Sequence, residues 1–189
     1  SLSISNRVEN AHYRRKSGLS KSVKADIEYS DKIIGYLIDR MGESVFYPES
    51  RVPSIDLEDG YTPEMVADYM RKLLGLKEDP VNDIMSILEN FGIIIVEEDY
   101  DVDVFDGVSF NTDDGTNVIV LNRNFSNDHK RFTLAHELGH LVMHLSPIVP
   151  EYRNKEDEAN RFASEFLMPS ELIRNSLFGL KLAYLKNLK

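Results

Sequence analysis

The chain has no cysteine among its 189 residues. That excludes disulfides, cysteine-ligated zinc and thiol catalysis, and leaves His, Asp and Glu to hold any transition metal. It also fits a cytoplasmic location. No run of about 18 apolar residues occurs, so no membrane span is expected. No signal peptide is visible, because Ser1-Leu2-Ser3-Ile4 leads into polar and basic sequence. The first residue is not Met, which fits a chain trimmed from a longer parent. Internal repeats and low-complexity tracts are absent. Positive charge is in short supply, with 22 Lys and Arg against 32 Asp and Glu and a net charge of −10. That balance argues against this portion gripping nucleic acid directly.

The charge is uneven. Residues 1–24 hold Arg7, Arg14, Arg15, Lys16, Lys21 and Lys24 against Glu9 alone, a net of +5, so with −10 overall the rest carries −15. A basic start of this kind reads as an amphipathic arm or linker, with contact to nucleic acid or an acidic partner as the alternative.

Hydrophobic spacing organises the rest of the chain. Val23, Ile27, Ile34, Leu37, Ile38 and Met41 recur at helical intervals over 21–41. Residues 42–60 read as a loop or extended arm. Thr62-Pro63-Glu64 opens a helix that Gly75 closes, and Asp79-Pro80 opens another that ends near Asn90-Phe91-Gly92. Then the period changes. Ile93–Val96, the segment from Tyr100 to Phe110, and Val118–Leu121 read as strands, with a turn at Asp113-Asp114-Gly115. Helices return over 127–145, ended by Pro147, over 154–168, ended by Pro169, and briefly after Pro169. The layout is α+β, a small antiparallel sheet among helices. Asp99, Asp101 and Asp103 imitate the start of a calcium loop. The sixth and twelfth positions are Val104 and Phe110 where Gly and Glu are needed, which excludes calcium.

The chemistry sits in RFTLAHELGHLVMH, residues 131–144, where His136-Glu137-Leu138-Gly139-His140 forms H-E-x-x-H. On a helical wheel His140 lies about 40° from His136, and Glu137 about 100°. Apolar side chains fill most of the remaining arc, so the helix is expected to be buried with one polar strip. Buried histidines need partners, and a metal supplies one. His136 and His140 stand one turn apart on one face, the spacing from which both rings reach one ion. Glu137 points aside, placed to hold a water. Gly139 costs about 1 kcal/mol inside a helix, which calls for close packing there.

A catalytic zinc keeps three protein ligands. On the following helix Glu156 alone among the acids shares the apolar, inward face, while Asp157, Glu158 and Glu165 fall on the outer arc. Glu156 is therefore the expected third ligand, and Asn160 could accept the free N–H of a ligand histidine. His144 lies about 12 Å along the axis from His136, too far to share its ion. The class with a third His ligand is excluded, because Met143 and Ser146 stand at its Gly and His positions. His144 is expected to support the site or hydrogen-bond in the core.

These residues resemble the ImmA/IrrE metallopeptidases. The likeness rests on RFTLAHELGHLVMH followed by ExxANRFASEFLMP (156–169), preceded by GIIIVE (92–97), DGVSF (106–110) and NVIVLN (117–122). It covers roughly residues 62–180. It implies a zincin-like fold, with the sheet packed against the H-E-x-x-H helix, and a division into residues 1–60 (arm, helix and extended linker) and 61–189 (metallopeptidase domain). It implies Zn²⁺ on His136, His140 and Glu156, with Glu137 as catalytic acid/base. It further implies an endopeptidase that cuts a protein substrate, a repressor of mobile-element, phage or stress genes, in a parent with an upstream helix-turn-helix domain through which DNA would be bound. The alternative is a metal-binding sensor that binds its partner without cutting. Tyr152 and Arg161 lie near the motif and read as surface residues. The Val118–Leu121 strand is expected to offer an edge to a substrate strand.

Overall fold

The computed structural model describes residues 12–15, 20–44, 49–76, 80–100, 105–145 and 149–174. Asp79, Pro147, the calcium-like positions 101–104 and most of the basic arm lie outside the described residues.

The organising element is Asn117–Asn122 (β4), NVIVLN, in which every residue is buried. Alternate side chains divide between two apolar clusters. Val118 and Val120 pack with Ile27, Ile38, Val108 and Phe110, while Ile119 and Leu121 pack with Leu134 and Leu138. A strand apolar at successive positions is one covered on both faces. Here one cover is Lys21–Gly42 (α1). The other is Asn127–Met143 (α4), with Pro63–Leu73 (α2), Ile84–Asn90 (α3) and Lys155–Leu167 (α5) around it.

Among the described residues the sheet has four strands: His12–Arg15 (β1), Ile93–Glu98 (β2), Phe105–Asn111 (β3) and β4, in the order β1-β3-β4-β2. The α+β layout stands, but the sheet is mixed where an antiparallel one was expected. The turn at 112–116 makes β3 and β4 antiparallel, whereas β2 lies parallel on the other side of β4. The chain leaving β2 must pass β4's position to reach β3, and that crossover sets the parallel pairing. It also overturns the expectation for Val118–Leu121, because both edges of β4 are bonded to neighbours.

Local signals account for most helix boundaries. Thr62 caps α2 through Met65 N at 3.3 Å, with Pro63 in the first turn. The helix expected from Asp79-Pro80 begins instead at Ile84. Asp83 caps it, accepting from Ser86 N at 3.1 Å, and Val81 is buried ahead of it. Asn154 caps α5 through Asp157 N at 3.2 Å.

Two close approaches fix α4. A Cβ on Gly139 would lie 3.0 Å from Phe162 Cδ1 on α5, so the glycine lets the two helices touch. A Cβ on Gly107 would lie 2.9 Å from Thr133 Cγ2 and from Val120 O, so α4 presses onto β3 there. The β1–β3 register slips by one residue across this part of β3. The slip leaves Phe105, Val108 and Phe110 in the cluster on the α1 side. Plain alternation with Val108 and Phe110 puts Ser109 on the opposite, α4 side, where its hydroxyl meets Glu137.

Candidate metal centre

Helix α4 is buried continuously from Thr133 to His144, polar residues included. Leu134, Leu138, Leu141 and Val142 are among them, and burying each stabilises the fold by about 1.5–3 kcal/mol. That packing offsets the cost of taking His136, Glu137, His140 and His144 out of water.

The structure brings His136, His140 and Glu156 together. Their ligand atoms lie within 4.8 Å of one another. His136 Nε2 is 3.0 Å from His140 Nε2. The Glu156 carboxylate is 3.3 Å from each ring, one oxygen to each. Three donors held by one tetrahedral ion at zinc–ligand distances would stand about 3.3 Å apart. Glu156 keeps 48% of its side-chain surface exposed, so the centre opens to solvent on that side while the histidines are sealed.

The proton inventory sharpens this arrangement. Asn160 Oδ1 accepts from His136 Nδ1 at 3.0 Å, which turns His136 Nε2 to the centre. His144 Nε2 donates to Glu158 Oε2 at 2.9 Å, and its Nδ1 lies 2.8 Å from His140 Nδ1. Arg153 binds Glu158 through two nitrogens, at 2.9 and 2.6 Å. With the proton of that Nδ1–Nδ1 bond on His140, its Nε2 is turned to the centre to serve as a ligand atom. Two imidazole nitrogens and a carboxylate therefore face one another across about 3 Å; without an ion, ring protons would bridge to the carboxylate, and a cation would take their place. Burial on its own would raise the Glu156 pKa, but the two histidines overcome that and hold it well below the usual carboxylate range.

Glu137 is fully buried, and Ser109 Oγ donates to its Oε2 at 2.6 Å. This serine sits in the DGVSF stretch, yet sequence spacing does not reveal its role, because the contact spans 28 residues. Glu158 falls on the outer arc of the α5 wheel. In the structure it is only 14% exposed and turned toward His144, since the first turn of α5 passes the end of α4. Arg153, ahead of that helix, carries no motif that would mark it. Arg161 is tied to Glu64 on α2 by two bonds, at 2.7 and 2.8 Å. Tyr152 donates to Glu58 at 2.8 Å and is 77% exposed. Both are engaged at the surface, as expected.

Residues 88–183 match the M78 peptidase family, described as the IrrE N-terminal-like domain. The chain belongs to this family. The match begins within α3 and runs past the last described residue, so it takes in the sheet strands β2 to β4 and both helices of the candidate centre. It makes a metallopeptidase-type function the family-level reading. Comparison with curated proteins and with solved structures returned no match. Among the described residues, no helix of this M78 chain is long and apolar enough to cross a membrane.

Proposed function

We propose that the chain is a zinc-dependent endopeptidase. The observation that carries this reading is the convergence of three ligand atoms, from His136, His140 and Glu156, on one point, with the buried Glu137 next to His136. His136, His140 and Glu156 would hold the ion. Bound there, zinc would polarise a scissile carbonyl and acidify a water. Glu137 takes the proton from the attacking water as the new C–O bond forms. It then returns that proton to the nitrogen as the C–N bond breaks. Ser109, donating to one Glu137 oxygen, holds the carboxylate in one orientation for both transfers. Asn160 and His144 keep the two rings turned inward.

A groove of about 610 Å³ opens beside Asn160, lined by Phe132, Leu167, Met168 and Ile173 with Glu64 and Arg161 at its rim. Its apolar lining suits a substrate side chain next to the bond cut. The likeness to ImmA/IrrE proteins supports a transcriptional repressor as substrate, and with it control of mobile-element, phage or stress genes.

Purified protein loaded with zinc would be incubated with a candidate repressor beside Glu137→Gln. Cleavage is expected from the wild type and at least about a hundredfold less from the variant. Binding of the repressor without cleavage, equal in both, would point to a sensor instead.

A further inference from the structure

The position of β1 invites a question that the metal centre does not answer. Strand β3 is the strand that reaches the site, through Ser109 and Glu137. Its inner edge is bonded to β4, and its outer edge is bonded to β1, residues 12–15. The sheet's other outer strand, β2, lies two strand spacings from β3, about 10 Å further from Ser109. The outer edge of β3 is therefore the one beside the catalytic glutamate. The register sets His12 opposite Ser109 and Tyr13 opposite Val108.

We infer that the outer edge of β3 takes up an extended, basic peptide segment, and that residues 12–15 are a built-in occupant competing for it. The inference rests on the peptidase reading for the fate of that segment, but not for its binding. Three observations carry it. An antiparallel strand added to an edge is a general mode of peptide capture, in which backbone bonds give affinity without demanding one sequence. The described part of the occupant is four residues, and its register slips between Tyr13 and Arg15, an irregularity that interrupts the ladder and favours displacement. Its sequence, HYRR, is basic in a chain that carries −15 outside residues 1–24. A tethered segment acts at an effective concentration of roughly 1 mM, so with a Kd of about 100 μM it would fill the edge about ten to one.

The test uses the full chain and a fluorescein-labelled peptide, NAHYRRKSG, the sequence of residues 10–18. In an antiparallel ladder one of two adjacent residues donates to the neighbouring strand, so the variant carries both H12P and Y13P. Fluorescence anisotropy is expected to give about tenfold tighter peptide binding to the variant than to the wild type. Unfolding midpoints followed by circular dichroism would keep a loss of structure from passing as a loss of binding. A peptide with both arginines changed to glutamate should bind more weakly, and equal binding would overturn the basic preference. Equal peptide affinity for wild type and variant, or none for either folded protein, would overturn the inference. β-Casein cleavage by the zinc-loaded proteins separates the two readings. Faster cleavage by the variant, suppressed by added peptide, supports both. Equal cleavage with unchanged peptide binding removes the edge inference and leaves the peptidase. Tighter peptide binding with no cleavage by either protein removes the peptidase and leaves the edge.

Discussion

The two histidines of the centre are held in different ways. His136 leans on one neutral side chain, Asn160, which lies at the exposed surface of α5. His140 leans on a buried series, His144, then Glu158, then Arg153, that ends in an ion pair. Water can replace an exposed amide but cannot reach a ring that is 1% exposed. The candidate centre therefore has a replaceable side and an irreplaceable one, and its tolerance to change should be lopsided.

The largest effect should come from the residue both sides share. Glu156→Ala removes a ligand from the set and should weaken zinc affinity at least about a hundredfold, read by competition with a chromophoric chelator. Retained affinity would mean that the ion sits elsewhere. His144→Leu should weaken affinity about ten- to a hundredfold without touching a ligand. Asn160→Leu should weaken it by about tenfold or less on the same assay, and equal losses in these two variants would erase the asymmetry. Gly139→Ala touches neither side. The added methyl gains helix propensity, but Phe162 is fully buried and stacked on Phe166, so it cannot retreat. A net loss of about 1 kcal/mol is expected in urea unfolding of the zinc-free protein. A gain in stability would show that the helices can move apart.

The smallest effect is a pH dependence. Burial tends to raise the Glu158 pKa, but Arg153 and His144 outweigh it and hold the carboxyl below its ordinary value of 4.5. A depressed carboxylate contributes stability above its unfolded pKa, and that contribution disappears as pH falls through the folded value. Glu158→Gln should thus unfold more easily at neutral pH and lose less than the wild type on acidification below about 4.5. Parallel acid curves for the two proteins would sink this assignment.

What could be read from the sequence depends on the range of each interaction. His136, His140 and Glu137 are one helical turn or less apart, and spacing alone places them together. Glu156 is on another helix, yet its inward face was legible because Ala159, Phe162, Ala163 and Phe166 mark that face and are all buried. The wheel fails for Glu158 because it treats the helix as isolated. At the first turn of α5, the partner lies beyond the end of α4 rather than along its side. The same limit hides Ser109 and the pairing of residues 12–15, which depend on how β3 is placed in the sheet. The direction of β2 was illegible for a related reason. A short apolar run such as Ile93–Val96 fits a parallel or an antiparallel neighbour equally well, and only the crossover decides.

His144 also ends helix α4, and its backbone N–H is bonded to the carbonyl of His140 at 2.9 Å. The pair is thus joined twice, once along the main chain and once ring to ring. Fraying of the last turn would break both links together and release a ligand. If His140 holds the proposed zinc, ion occupancy and the order of that turn are one equilibrium seen from two ends. The exchange rate of a single amide proton, that of His144, becomes a gauge of how tightly the ion is held.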